Sequence, residues 1–188
     1  VQGTGWGAGT WGRGTWDSAS DLSAGGNTLR IWSHDNFGED LLMNVRDEGI
    51  FYWDKTNGVT TRSVSLASLG VTTDKIPTIA KQVLVSDKDR HIIAFGCDPE
   101  TAIGTQDPLL IRFGSQESLT DWSAKATNTA GDLRIGSGSE IVTAVETRQQ
   151  VLVFTDVSLH AMQFLGPPFT FGINTVSENI TTASPLCA

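Results

Sequence analysis

The stretch VLVSDKDRHIIAFGCD, residues 83–98, consists of an apolar run, a tight polar turn and a second, more hydrophobic run. Two other stretches repeat this pattern: LLMNVRDEGIFYWD at 41–54 and IVTAVETRQQVLVFTD at 141–156. Runs of β-branched and aromatic residues between Asp, Gly and Asn are typical of strands. We therefore predict a β-hairpin that occurs three times, with a second strand that is apolar on both faces, as in the interior of stacked sheets.

Shorter apolar runs fill the intervals between these hairpins and bring each repeat to about four strands. These runs lie at residues 28–32, 59–66, 109–113, 132–135 and 158–164. The hairpins begin at residues 41, 83 and 141, a spacing close to the roughly 40–50 residues of a propeller blade. The sequence thus predicts an all-β fold, a β-propeller-like array of four-stranded antiparallel blades. A β-sandwich, also built from short strands and turns, is the alternative.

Residues 1–26, VQGTGWGAGTWGRGTWDSASDLSAGG, differ in composition from the rest. Trp6, Trp11 and Trp16 recur at a spacing of five, which fits neither a helix nor a strand, and the many glycines disfavour both. We predict an irregular Gly/Trp-rich extended arm over 1–26 and blades over 27–188. Because three exposed indoles would be adhesive, these tryptophans are candidate interface residues.

The blade count leads to a further expectation. At about 45 residues per blade, residues 27–188 provide three to four blades, whereas closed propellers usually have four to eight. We therefore expect an incomplete array that belongs to a larger chain or is completed by another chain.

Composition and charge argue against several functions. The net charge is −8, and the 13 basic residues are scattered, so no basic face for nucleic acid or anionic lipid is evident. No run approaches the roughly 18 apolar residues of a membrane span, so we expect no stable membrane insertion. Two distant cysteines and three isolated histidines predict neither a metal site nor a cofactor.

Signals for catalysis are weak. SQESLTDW at 115–122 partly matches the Asp-box turn of sialidase-like blades, but that motif is a folding element. The only tyrosine, Tyr52, lies inside an apolar strand, where burial explains it better than a nucleophilic role. We therefore predict that the protein is not an enzyme, and an Asp-box glycoside hydrolase is the third-ranked alternative.

The segment LGPPFTFG at 165–172 is predicted to be a stiff apolar loop, because two prolines limit its conformations. Its candidate contact residues, to a subunit or to another blade, are Pro167, Pro168, Phe169 and Phe171. A second functional alternative is a carbohydrate-binding propeller that recognises a host surface glycan, for which the aromatic candidates are Trp32, Trp53 and Trp122.

Five segments after the Gly/Trp arm carry a resemblance: RIWSHDNFGEDLLMN (30–44), FYWD (51–54), DPLLIRFGSQESLTDW (107–122), ATNTAGDLRIGSGSEIVTAVETRQQVLVFTD (126–156) and QFLGPPFTFG (163–172). Together they resemble tail structural proteins of tailed bacteriophages, especially the β-propeller nozzle proteins of short-tailed phages, also called tail tubular protein B. The resemblance implies a virion protein, made in the host cytoplasm, that forms a ring of six copies with adaptor and other tail proteins. DNA would pass through the lumen without specific binding. No catalytic residue carries over.

Overall fold

The computed structural model describes residues 30–166 and 169–187, and within these ranges the protein is all-β. Twelve strands account for the regular structure, and the only helical segments described are 3-10 turns at Lys55–Asn57, Leu66–Ser68 and Thr72–Asp74. The predicted arm, residues 1–26, lies outside the described residues.

The strands form three separate four-stranded sheets, each antiparallel and each connected in chain order. Sheet I contains β1 (Trp32–Phe37), β2 (Asp40–Val45), β3 (Ile50–Trp53) and β4 (Val64–Ser65); sheet II contains β5 (Gln82–Val85), β6 (Ile92–Phe95), β7 (Leu110–Phe113) and β8 (Gly131–Arg134); sheet III contains β9 (Ile141–Glu146), β10 (Val151–Thr155), β11 (Ser158–Phe164) and β12 (Phe171–Glu178). The predicted all-β fold of four-stranded antiparallel sheets is confirmed, and the three sheets are consistent with an incomplete propeller-like array or with a sandwich. The described residues do not form a closed barrel.

All three predicted hairpins form, but they do not occupy equivalent places. The hairpins in sheets II and III are the first two strands of their sheets, whereas the hairpin at 41–54 provides the two middle strands of sheet I. The run predicted at 132–135 precedes the third hairpin in sequence but belongs to sheet II, not to sheet III. Residues 131–134 are β8, which closes sheet II by pairing with β7, for example Arg112 with Asp132.

The fourth strand of sheet III, β12, was absent from the sequence prediction. It pairs with β11 along most of its length, from Phe164 opposite Phe171 to Ser158 opposite Glu178. The predicted loop at 165–172 therefore ends where β12 begins. The paired prolines at 167–168 obscured the alternation of Phe171 and Ile173 with polar residues, which is the signal of a strand.

Sheet II lies between the other two sheets and contributes to two hydrophobic clusters. Ile92 and Ala94 of β6 pack into one cluster with Leu42 and other residues of sheet I. Ile93 and Phe95, which point to the opposite side of the same strand, pack into a second cluster with residues of sheet III. Because side chains alternate along a strand, each face of β6 is covered by a neighbouring sheet.

Polar side chains join the first strands of the three sheets. The Asp35 carboxylate of β1 accepts a hydrogen bond from the Val85 N–H of β5 at 2.8 Å. The Gln82 side chain of β5 accepts from the Ala144 N–H of β9 at 2.8 Å and donates to the Ala144 carbonyl at 2.7 Å. These contacts satisfy strand-edge groups without fusing the sheets, so three distinct blades stack in series.

A buried lysine ties all three blades at one end of these strands. Lys81, which precedes β5 and is 8 % exposed, places its ammonium 2.7 Å from Glu140 and 3.3 Å from Asp47. Asp47 lies in the β2–β3 turn of sheet I, and Glu140 directly precedes β9 of sheet III. A single cation therefore links the ends of three blades.

Candidate assembly surfaces

Sheet I has one face against sheet II and one face that belongs to neither hydrophobic cluster. Strand register places Leu41 opposite Trp53 and Met43 opposite Phe51 on this second face. All four side chains are half-buried, and Trp32 of β1, on the same face, is 51 % exposed. We call these five residues the open face of sheet I.

Sheet III shows the same asymmetry at the other end of the stack. Leu152 lies opposite Val145, and Phe154 lies opposite Leu159, on the face of sheet III turned away from sheet II. These four side chains are half-buried and lie outside both clusters. They form the open face of sheet III. The array therefore ends, on both sides, in a face with incompletely covered apolar side chains, and on sheet I this face also carries the exposed His34 and Asn36 of β1.

The second strands of the three hairpins, β3, β6 and β10, were predicted to be buried on both faces, because their apolar residues occur on both. That holds for β6, whereas β3 and β10 bury one face in a cluster and leave Phe51, Trp53, Leu152 and Phe154 half-exposed. The pattern identified the correct strands but could not say which blades have a neighbour on each side.

The predicted contact residues fall into three groups. Trp6, Trp11, Trp16, Pro167 and Pro168 lie outside the described residues. Phe169 is 73 % exposed, at the tip of the segment between β11 and β12, so its ring is available to a partner. Phe171 is 5 % exposed and belongs to the cluster between sheets II and III, so it makes a contact between blades.

The contacts of Phe171 are with aromatic rings of both sheets. Its ring lies 5.0 Å from that of Phe113 in β7 and 5.5 Å from that of Phe164 in β11, both in edge-to-face geometry. The His91 imidazole lies 5.2 Å away. Such pairs add to the energy of area burial, so Phe171 holds sheets II and III together.

The residues considered for hydrolysis have structural roles here. The Tyr52 hydroxyl donates a 2.6 Å hydrogen bond to Asp40, which lowers the pKa of that carboxyl. Burial, reinforced by the same bond, raises the pKa of the Tyr52 phenol, the opposite of what a nucleophile requires. Trp122 of the Asp-box-like turn is 1 % exposed and donates to the Leu119 carbonyl at 2.9 Å, so it anchors this turn in the core.

The aromatic candidates for sugar binding are also placed. Trp32 and Trp53 lie on the open face of sheet I, and Trp53 donates a hydrogen bond to the Thr61 carbonyl at 3.1 Å. Trp122, being buried, is not accessible to a glycan.

Two histidines are buried, His91 directly before β6 and His160 in β11. His160 is 4 % exposed, and its imidazole contacts the Ser158, Ser137 and Thr175 hydroxyls at 2.8, 3.1 and 3.3 Å. Burial lowers the pKa of His160 and is also the main cause of the lowered pKa of His91. No carboxylate takes part in the His160 hydrogen bonds described, so this network lacks the acidic partner of a catalytic triad.

No protein family's sequence profile and no curated protein matches this chain. The described ranges contain no group of three or more His, Cys, Asp or Glu side chains placed to hold a metal ion. Within the same residues, no helix is long and apolar enough to cross a membrane.

Proposed function

We propose that this chain is a structural component of a phage tail, a nozzle-type ring protein that acts through contacts with copies of itself and with other tail proteins. The observation that carries the proposal is the contrast between the blades. Sheet II is covered on both sides, while sheets I and III each end in a face whose apolar side chains the rest of the described array buries only in part.

Such faces are costly to leave in water. Burial of apolar surface yields about 25 cal/mol per Å², and extended apolar patches on proteins commonly mark interaction sites. The two open faces share Leu and Phe but differ in the rest, with Trp and Met on sheet I and Val on sheet III. A contact between unlike faces is heterologous, and heterologous contacts generate rings when the rotation closes. In the proposed assembly, neighbouring copies cover the two open faces, and the expected ring has six copies.

The charge of the chain fits a conduit. A net charge of −8 would repel the phosphate backbone, so DNA would slide through the lumen without being retained. The proposed role therefore needs no specific DNA contact, cofactor or catalytic residue. The virion is the proposed location.

Cryo-electron microscopy of native particles that contain the chain tests this proposal. We expect a ring of about six copies coaxial with a tail, with density from a neighbour over the open faces of sheets I and III. A free monomer would overturn the proposal. Saturable binding on a glycan array would then favour the sugar-binding alternative, and turnover of a fluorogenic glycoside would favour the hydrolase.

A further inference from the structure

A cleft of about 580 Å³ lies between the hairpin turns of sheets II and III. Its walls are residues 86–89, which follow β5, and residues 146–150, which are the last residue of β9 and the turn before β10. Its remaining lining is apolar and consists of Val151, Met162, Phe164 and Phe171. This volume is within the range of clefts that bind small groups or side chains.

Acidic side chains outnumber basic ones in the lining of the cleft, three to two, and the basic ones are Lys88 and Arg148. Asp87, Asp89 and Glu146 line it, and among the residues that the structure describes no ion pair within 4 Å joins them to Lys88 or Arg148. Glu146 accepts one hydrogen bond, from the Asp87 N–H at 3.1 Å. Burial raises the pKa of Glu146, and the neighbouring Asp87, Asp35 and Asp89 charges add to the effect. A bound cation would offset this repulsion.

The apolar lining determines which cation fits. A metal ion would not contact the apolar side chains, and in the described ranges the carboxylates are not grouped as metal ligands. A long basic side chain contacts both the apolar lining and the acidic walls, because its aliphatic stem packs on apolar surface while its charged end pairs with the carboxylates. Phe164 is 39 % exposed at the cleft and offers an aromatic edge or face. A guanidinium both pairs with carboxylates through two hydrogen bonds and stacks on aromatic rings.

We infer that this cleft binds an arginine side chain presented by a partner protein. The stem of the arginine lies along Phe164, and its guanidinium meets Glu146 with Asp87 and Asp89 around it. Under the proposed function, the protein that presents this arginine is another subunit or another tail protein. Only this identity of the partner rests on the proposed function.

The probe that tests it is n-butylguanidinium, titrated into the ¹⁵N-labelled protein near pH 7 and followed by amide chemical shifts. We expect saturable shifts confined to residues 86–89 and 146–151, with millimolar affinity for so small a ligand. The matched probe n-butylammonium should bind more weakly, and 1-pentanol, which lacks charge, more weakly still. Affinity for butylguanidinium should fall as the pH is lowered and Glu146 is protonated.

The variant Glu146→Gln keeps the size of the side chain and removes its charge. We expect it to weaken butylguanidinium binding about tenfold, the loss of one charge-assisted contact. The matched control is Glu178→Gln at the end of β12, which does not line the cleft and should bind as the wild type does.

Three results would overturn the inference. One is the absence of saturable shifts at the cleft; a second is equal binding by the Glu146→Gln variant. The third is a stronger response of the same amides to N-acetylglucosamine than to butylguanidinium, which would make the cleft a sugar site. If butylguanidinium does not bind while particles still show a coaxial ring, only the assignment of the cleft as an arginine site is rejected. If butylguanidinium binds and no ring exists, only the proposed function is rejected.

Discussion

Sheet II and the two end sheets share one topology but differ in what surrounds them. Every residue of β6 in sheet II is buried, whereas the equivalent second strand of sheet III, β10, alternates buried with half-buried residues. Both strands are uniformly apolar until the last residue of β10. A strand that is apolar on both faces thus indicates that another sheet packs against each face. For the end sheets, the described array supplies only one of those neighbouring sheets, and this is why we propose assembly contacts at their open faces.

The largest effect is expected from removing one phenylalanine from each environment. Phe95 of β6 is fully buried, and Phe95→Ala should cost about 3–5 kcal/mol because a cavity remains. Phe154 of β10 is half-buried on the open face of sheet III, so Phe154→Ala should cost about 1 kcal/mol in the isolated chain. Chemical denaturation of both variants measures the difference in free energy of unfolding. Equal losses would mean that the open face is already part of a core.

A smaller effect is expected from pH, and it should be confined to sheets II and III. His91 and His160 have pKa values lowered from 6.5 by burial, so the unfolded chain binds more protons than the folded chain below that pH. Stability should therefore be full above about pH 6.5 and fall as the pH drops through the lowered values. Glu146, with a raised pKa, acts in the opposite direction at lower pH.

A variant without the His160 imidazole measures how much this histidine contributes to the pH dependence of stability. Denaturation of the wild type and of His160→Asn at about pH 7.5 and pH 5.5 should show a smaller loss of stability in the variant. An identical pH dependence would mean that His160 is not kept neutral by its buried site.

Part of this fold could be predicted from the sequence, and the parts that could not have physical reasons. The hairpin at 83–98 has strong local signals, two apolar runs and a polar turn between them, and it forms as predicted. The sheet to which 131–134 belongs depends on long-range pairing with β7, which leaves no local trace. β12 was missed because the prolines at 167–168 signal a turn more strongly than Phe171 signals a strand.

The candidate sites, too, could be predicted from the sequence only in part. Phe169 is exposed, as a contact residue must be, whereas the open faces follow from which sheets stack on which, information that no single strand contains. The cleft brings together Asp87 and Glu146, distant in sequence, because the β5–β6 and β9–β10 turns lie at the same end of adjacent blades. Turn composition alone explained Asp87 and Asp89 as turn formers.

The central claim is that the open faces of the end sheets make assembly contacts, and the mass of the assembly tests it most directly. Phe154→Asp places a charge on the open face of sheet III, and Val59→Asp, at a position 91 % exposed and outside both open faces, is the matched control. Mass photometry of the folded proteins should show a ring for the wild type and for Val59→Asp, and monomers for Phe154→Asp. Rings of unchanged mass in the Phe154→Asp variant, or monomers in all three proteins, would contradict the account.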